Sequence, residues 1–166
     1  EKLLTALTVT IDINTRIDTE KLAASFSAPG YVRGELVEGP GPFAVRGGIL
    51  DVFPTTLDHP VRVEFWGDDV DSLGRFDPMT QRRTERADAV TLLPVRETLP
   101  TLADGGIDGL CAALRKLAGR KTIGEKLEKT LLSDADSLQE LRYLTAADRY
   151  LPQIYPEMAC ALDYLP

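Results

Sequence analysis

Between residues 31 and 95 the chain is cut by turn-forming dipeptides into short apolar runs, and that punctuation leaves little room for anything but antiparallel sheet. Residues 43–46 and 49–53 flank Gly47-Gly48, a pair suited to the positive backbone angles of a two-residue hairpin loop. Pro54 ends the second run because it has no N–H to donate to a ladder. Val61, Val63 and Phe65 then alternate with Arg62, Glu64 and Trp66, the period of a half-buried strand. Gly67-Asp68-Asp69 turns the chain into a returning run over 70–76, and a last apolar run covers 89–95. A first run, 31–37, follows the break at Pro29-Gly30.

Helix flanks this meander. Asp18 or Thr19 is placed to cap a short helix running to about Ser27, which must stop before Pro29. Beyond Pro100 the period changes. Ile107, Leu110, Cys111, Leu114 and Leu117 recur at steps of three and four, with Gly119 as a C-terminal stop. Ile123, Leu127 and Leu131 predict a second helix, Ser133-Asp134 a break, and Leu138, Leu141 and Leu144 a third helix. The final stretch, QIYPEMACALDYLP, is apolar, weakly patterned, and reads as cut within a larger structure. The expected fold class is α+β: an antiparallel meander with a flanking helix, followed by a mainly α-helical segment.

Several functions lack their chemistry. The net charge of −7 argues against nonspecific coating of nucleic acid, which needs concentrated positive charge. No run approaches the ~20 apolar residues of a membrane span. The N-terminal stretch lacks the basic flank and small-residue cleavage site of a signal peptide, so a cytoplasmic location is expected. Cys111 and Cys160 lie among apolar neighbours and read as free thiols. The single histidine, His59, sits in a loop and reads as solvated, with no second histidine or cysteine pair to support zinc. Asp68, Asp69 and Asp71 fit hairpin-turn chemistry better than a divalent-ion site. Gly39-Pro40-Gly41 lacks the helix and lysine of a phosphate loop, and no catalytic triad can be assembled. Neither an active site nor a cofactor site is expected, and a protein partner is the first expectation.

Alternation shows where such a partner would touch. If Phe43 and Val45 face the core, Ala44 and Arg46 face away; likewise Arg62, Glu64 and Trp66 turn away from Val61, Val63 and Phe65. Arginine and tryptophan are enriched among binding hot spots. The same pattern also fits a wet charge ladder with Trp66 covering the edge of the core.

These residues carry a resemblance. Gly30-Tyr31, the run PFAVRGGILDVFP ending at Pro54, His59-Pro60-Val61-Arg62-Val63-Glu64-Phe65, Gly67-Asp68, Phe76-Asp77-Pro78 and Thr80-Gln81-Arg82 together resemble the UvrB-homology module of the bacterial transcription-repair coupling factors (Mfd). Leu93-Pro94-Val95-Arg96-Glu97 resembles the exit from that module, and Leu162-Asp163-Tyr164-Leu165-Pro166 a later landmark. UvrB itself is a near relative, but typically carries an acidic residue where this chain has Gly48 and an arginine where it has Ala44.

The resemblance implies a noncatalytic domain 2 over residues 1–98 that docks UvrA. Residues 99–166 would then open the following helicase-like domain (1b), without ATPase function. It further implies UvrA contacts at Arg33, Arg46, Arg62 and Glu64, and masking of the surface by another domain of the parent protein. Trp66 joins that set on physical grounds, as Gly47 and Gly48 join it as the turn. Arg46, Arg62 and Glu64 are also the outward residues that alternation selects. A DNA-binding module using Arg75, Arg82, Arg83 and Arg86, or a structural spacer, are the competing expectations.

Overall fold

A computed structural model describes residues 2–142 and 144–155, and the chain divides into two units with the boundary between Glu97 and Thr98. In chain order the first unit contains α1 (Lys2–Leu7), β1 (Val9–Asp12), α2 (Thr19–Ser25), β2 (Val32–Arg33), β3 (Pro42–Arg46), β4 (Ile49–Val52), β5 (Val61–Trp66), β6 (Asp69–Phe76), β7 (Arg83–Arg86) and β8 (Ala89–Leu92). Six strands form one sheet in the order β2-β3-β4-β5-β6-β7, while β1 and β8 pair as a separate antiparallel ribbon. From β3 to β7 the sheet is the antiparallel meander expected from the turn residues.

Turn chemistry sets the registers. Gly47 has φ +60° while Gly48 does not enter the left-handed region, the pattern of a type II′ loop rather than a loop with two positive angles. Gly48 is needed for a different reason: a Cβ there would lie 2.9 Å from the Phe65 carbonyl oxygen. The Phe65 N–H donates to the Gly48 carbonyl at 2.7 Å, so the β3–β4 hairpin tip is bonded to the end of β5. Gly67, at φ +64°, opens the matching tip between β5 and β6. Asp18, not Thr19, caps α2, its Oδ1 accepting the Lys21 N–H at 2.9 Å.

Several expectations need correction. The run 31–37 contributes only two paired residues, and they run parallel to β3; after Gly34 donates to the Phe43 carbonyl the chain leaves the sheet. The last run stops at Leu92, two residues before Pro94. β1 and β7 were not anticipated. The first is only four residues long and finds its partner some eighty residues later; the second, Arg-Thr-Glu-Arg, is an edge strand with no apolar period to announce it.

One face of the sheet is buried against α2 and the β1–β8 ribbon. Phe43, Leu50, Val52, Val61, Val63, Phe65, Val70 and Leu73 meet Leu22, Ala23 and Phe26 from α2 and Ile11, Val90 and Leu92 from the ribbon. Each such side chain stabilises the fold by about 1.5–3 kcal/mol when fully buried. Phe26 meets the Phe43 ring edge-on at 5.2 Å and the Tyr31 ring at 5.6 Å. The Tyr31 hydroxyl donates to the Leu93 carbonyl at 2.9 Å, and burial pushes its pKa up to about 12. A second cluster of Val37, Ala44, Phe53 and Phe76 lies apart from this core. Ala44 thus turns away from Phe43 as alternation requires, yet into a small core rather than into water.

The second unit holds α3 (Gly106–Ala118), α4 (Glu125–Leu141) and α5 (Leu151–Ile154), with 3-10 turns at Pro100–Leu102 and Ala147–Tyr150. Ile107, Leu110, Cys111 and Leu114 of α3 pack with Leu131, Ala135 and Leu138 of α4. Gly119 is the C-cap, as its position predicted. The break expected at Ser133-Asp134 does not occur. The buried stripe of α4 runs Leu131, Ala135, Leu138 straight through it, and Asp134 stays in the helix accepting the Tyr150 hydroxyl at 2.5 Å. Leu127 is exposed rather than on the core stripe, and the helix ends where Arg142 adopts φ +54°. Cys111 is a buried free thiol; Cys160 and the stretch 162–166 lie outside the described residues.

Candidate functional site

Cross-strand register determines which polar side chains share the sheet face away from the α2 core. One row pairs Ala44, Asp51, Arg62 and Gly74; the next pairs Arg46, Ile49, Glu64 and Ser72. Arg46, Arg62 and Glu64 therefore come together on one face, with Asp51 among them. Trp66, two residues beyond Glu64 on β5, follows on the same face next to the hairpin tips, and is 83% exposed. Arg33 is not part of this group. It pairs with the core-facing Phe43, and its guanidinium grips Glu20 of α2 through Nη1 at 2.7 Å and Nη2 at 2.8 Å. That bond holds the Glu20 carboxyl below its ordinary range.

Asp51 organises the face and is 1% exposed. Its Oδ1 accepts Arg62 Nε at 2.7 Å, and its Oδ2 accepts Arg62 Nη2 at 2.8 Å and Arg46 Nη2 at 2.7 Å. A buried carboxylate held by two guanidiniums is the arrangement that makes such a charge tolerable. Arg62 also donates through Nη1 to the Gln81 carbonyl at 3.3 Å and through Nη2 to Gln81 Oε1 at 2.8 Å. Its guanidinium lies 4.3 Å from the Phe76 ring centroid, a cation–π contact. With its side chain only 14% exposed, Arg62 is largely a structural clamp; Arg46, at 45%, leaves much of its guanidinium available to a partner.

Glu64 belongs to a second network. It accepts the Ser72 hydroxyl and pairs with Arg83 Nη2 at 2.7 Å, while Arg83 Nη2 also reaches Ser72 Oγ at 2.6 Å. The Ser72 hydrogen bond, then the Arg83 charge, hold the Glu64 carboxyl below its usual range. Two of the four arginines that would supply a DNA-binding patch are thereby tied to carboxylates, Arg83 to Glu64 and Arg75 to Glu85 at 3.3 Å.

Sequence reasoning gave no role on this face to Asp51, Ser72 or Gln81, and placed Arg83 only in the competing DNA-binding patch. For Asp51 a signal was present. A two-residue loop at Gly47-Gly48 places Asp51 opposite Ala44 and diagonal to Arg46, and an acid within Ile-Leu-Asp-Val-Phe asks for a cation. Arg83 and Gln81 depend on a loop and an edge strand with no sequence period.

The family match follows the same segment. The UvrB interaction domain family matches residues 9–97, from the first residue of β1 to the last residue of the first unit. The transcription-repair-coupling factor of Bacillus subtilis is 33% identical over 162 residues, 94% of this chain and 14% of that protein. That of Myxococcus xanthus is 40% identical over 99 residues, 60% of this chain and 8% of that protein. The UvrABC system protein B of Thermotoga neapolitana is 30% identical over 152 residues, 87% of this chain and 23% of that protein. The chain spans less than a quarter of each of these relatives. With its family match covering the whole meander and the polar face on it, the chain belongs to the UvrB interaction domain family.

Proposed function

We propose that this chain is a noncatalytic docking module that binds UvrA and thereby brings nucleotide excision repair to a transcription-repair coupling factor at stalled RNA polymerase. The observation that carries the reading is the polar face of the matched domain: Arg46 and Glu64 are held in fixed positions beside an exposed Trp66, with Arg62 and buried Asp51 beneath as the frame. A rigid, charged centre with an aromatic edge is the anatomy of a binding hot spot. The family match and the relatives' names support a protein-interaction role in DNA repair.

In this reading residues 1–98 are the docking domain. Residues 99–166 are the opening of a helicase-like domain without ATPase function, and the motor lies elsewhere in the parent protein. The face is masked by another domain of that parent at rest and exposed when it acts, in the bacterial cytoplasm. Arg33 belongs to this surface only if UvrA wraps the β2 edge of the sheet, because Arg33 projects on the side of α2.

The test is association of UvrA with the immobilised chain. Saturable binding is expected, with an association rate that falls as salt rises, since charge steers the encounter. Absence of any association with a folded chain would refute the reading.

A further inference from the structure

The loop between β6 and β7, residues 77–82, lies against Arg62 and presents Met79 with 91% of its surface exposed. An exposed methionine on a mobile loop would mean little. This loop is held at every turn. The Asp77 N–H donates to the Arg82 carbonyl at 2.9 Å, and the Gln81 N–H to the Asp77 carbonyl at 2.8 Å. Asp77 Oδ1 accepts the Met79 and Thr80 N–H groups at 2.7 and 2.9 Å, and those bonds hold its carboxyl below the ordinary range. Gln81 stands in the left-handed region at φ +60°, where a side chain other than glycine is disfavoured, and Nε2 donates to the Pro78 carbonyl at 2.8 Å. Both its carbonyl and its Oε1 accept from Arg62, whose other bonds go to Asp51. One guanidinium thus fixes the loop and the arginine face together.

We propose that residues 77–82 are a preformed second part of the docking surface, with Met79 as its apolar anchor and Gln81 and Arg62 as positioning residues. The inference rests on the docking reading above and adds a contact to it. Trp66 stands four residues along β5 from Arg62, roughly 13 Å at strand rise. The charged centre is therefore flanked by one exposed apolar side chain towards the hairpin tips and another on the opposite, loop side. Methionine suits an irregular partner pocket because it is unbranched and polarisable. Arg46, Arg62, Arg82 and Arg83 stand here against Asp51, Glu64 and Asp77, in a chain of net charge −7. Arg46, Arg62 and Arg83 are paired with Asp51 and Glu64, and Asp77 is tied to its own loop, so the positive charge offered to a partner is exposed Arg82 and the exposed part of Arg46. The occupant is thus an acidic protein surface with an apolar cleft, which the docking reading identifies as part of UvrA.

The experiment compares UvrA affinity of the intact chain with that of M79A, M79L, M79E and Q81G, with melting temperatures measured alongside. M79A is expected to weaken binding about tenfold and M79E more, M79L to stay within about twofold, and all three to melt with the wild type. Gln81→Gly keeps the φ +60° turn but loses the side-chain bonds to Arg62 and Pro78. It is expected to weaken binding severalfold without a change in net charge. If M79A and M79E bind like wild type while Arg46→Ala does not, the loop is outside the interface and the inference falls while the docking reading stands. If the folded wild type binds no UvrA, both fall.

Discussion

At the residue scale the candidate face separates into side chains that hold and side chains that reach. Asp51 is buried and Arg62 nearly so, and the two are joined by paired hydrogen bonds. Asp51→Ala leaves two guanidiniums without their carboxylate, one of them largely buried, and is expected to cost about 3–5 kcal/mol of stability in urea unfolding. Arg46→Ala and Trp66→Ala remove exposed side chains and are expected to change stability by no more than about 0.5–1 kcal/mol. A melt that ranks these variants the other way would contradict the division.

Titration provides a second check at this scale. The folded pKa of Tyr31 lies at about 12, above its ordinary 10.0. The neutral phenol is the form that folding favours, so its contribution is complete below pH 10 and is lost as pH rises through about 12. Tyrosinate absorbance should show two phenols ionising late, Tyr31 and Tyr150, the latter also raised by burial and its bond to Asp134, and Tyr31→Phe should remove one of them. Glu64 is shifted the opposite way, below 4.5, so its contribution is present above that pH and fades as acid protonates it. Glu64→Gln should therefore lose less stability than wild type between pH 5 and pH 3.

Elements show how far sequence carries and where it stops. The β3–β4 and β5–β6 hairpins were legible because glycine at a two-residue loop fixes the register, and a period of two then assigns each side chain to a face. Arg46, Arg62 and Glu64 fell on one face for that reason. What alternation could not show is whether the outward face is wet: Ala44 and Asp51 are outward and buried, because Val37, Phe53 and Phe76 cover one part of the face and Arg62 another. β7 was illegible because it is a polar edge strand, and with it the pairing of Arg83 to Glu64. The false break in α4 came from reading Ser133-Asp134 by propensity, where Leu131, Ala135 and Leu138 continue the buried stripe. Gly74 offers a test of the β6–β7 edge, since a Cβ there would collide with the Glu85 carbonyl oxygen. Gly74→Ala should destabilise the domain by about 1–3 kcal/mol and increase amide exchange in residues 83–86.

For the whole molecule, the family match ends where the first unit ends, at Glu97. The core of that unit draws on α2, the ribbon and the sheet, all within residues 9–92. A chain ending at Glu97 is accordingly expected to fold and to retain the UvrA affinity of the intact chain, since every proposed contact lies within it. A folded short chain with binding weakened more than about threefold would assign part of the interface to residues 98–166.

Calorimetric titration of UvrA into this chain and into an R46A/W66A variant, with the fold of both checked by circular dichroism, tests the central claim most directly. This pair spares the Arg62–Asp51 clamp, so binding can be lost without unfolding the sheet. The account predicts saturable binding by the wild type and at least a hundredfold loss in a variant whose spectrum is unchanged and which still melts cooperatively above the assay temperature. Equal binding by both chains, or no binding by a folded wild type, would contradict it.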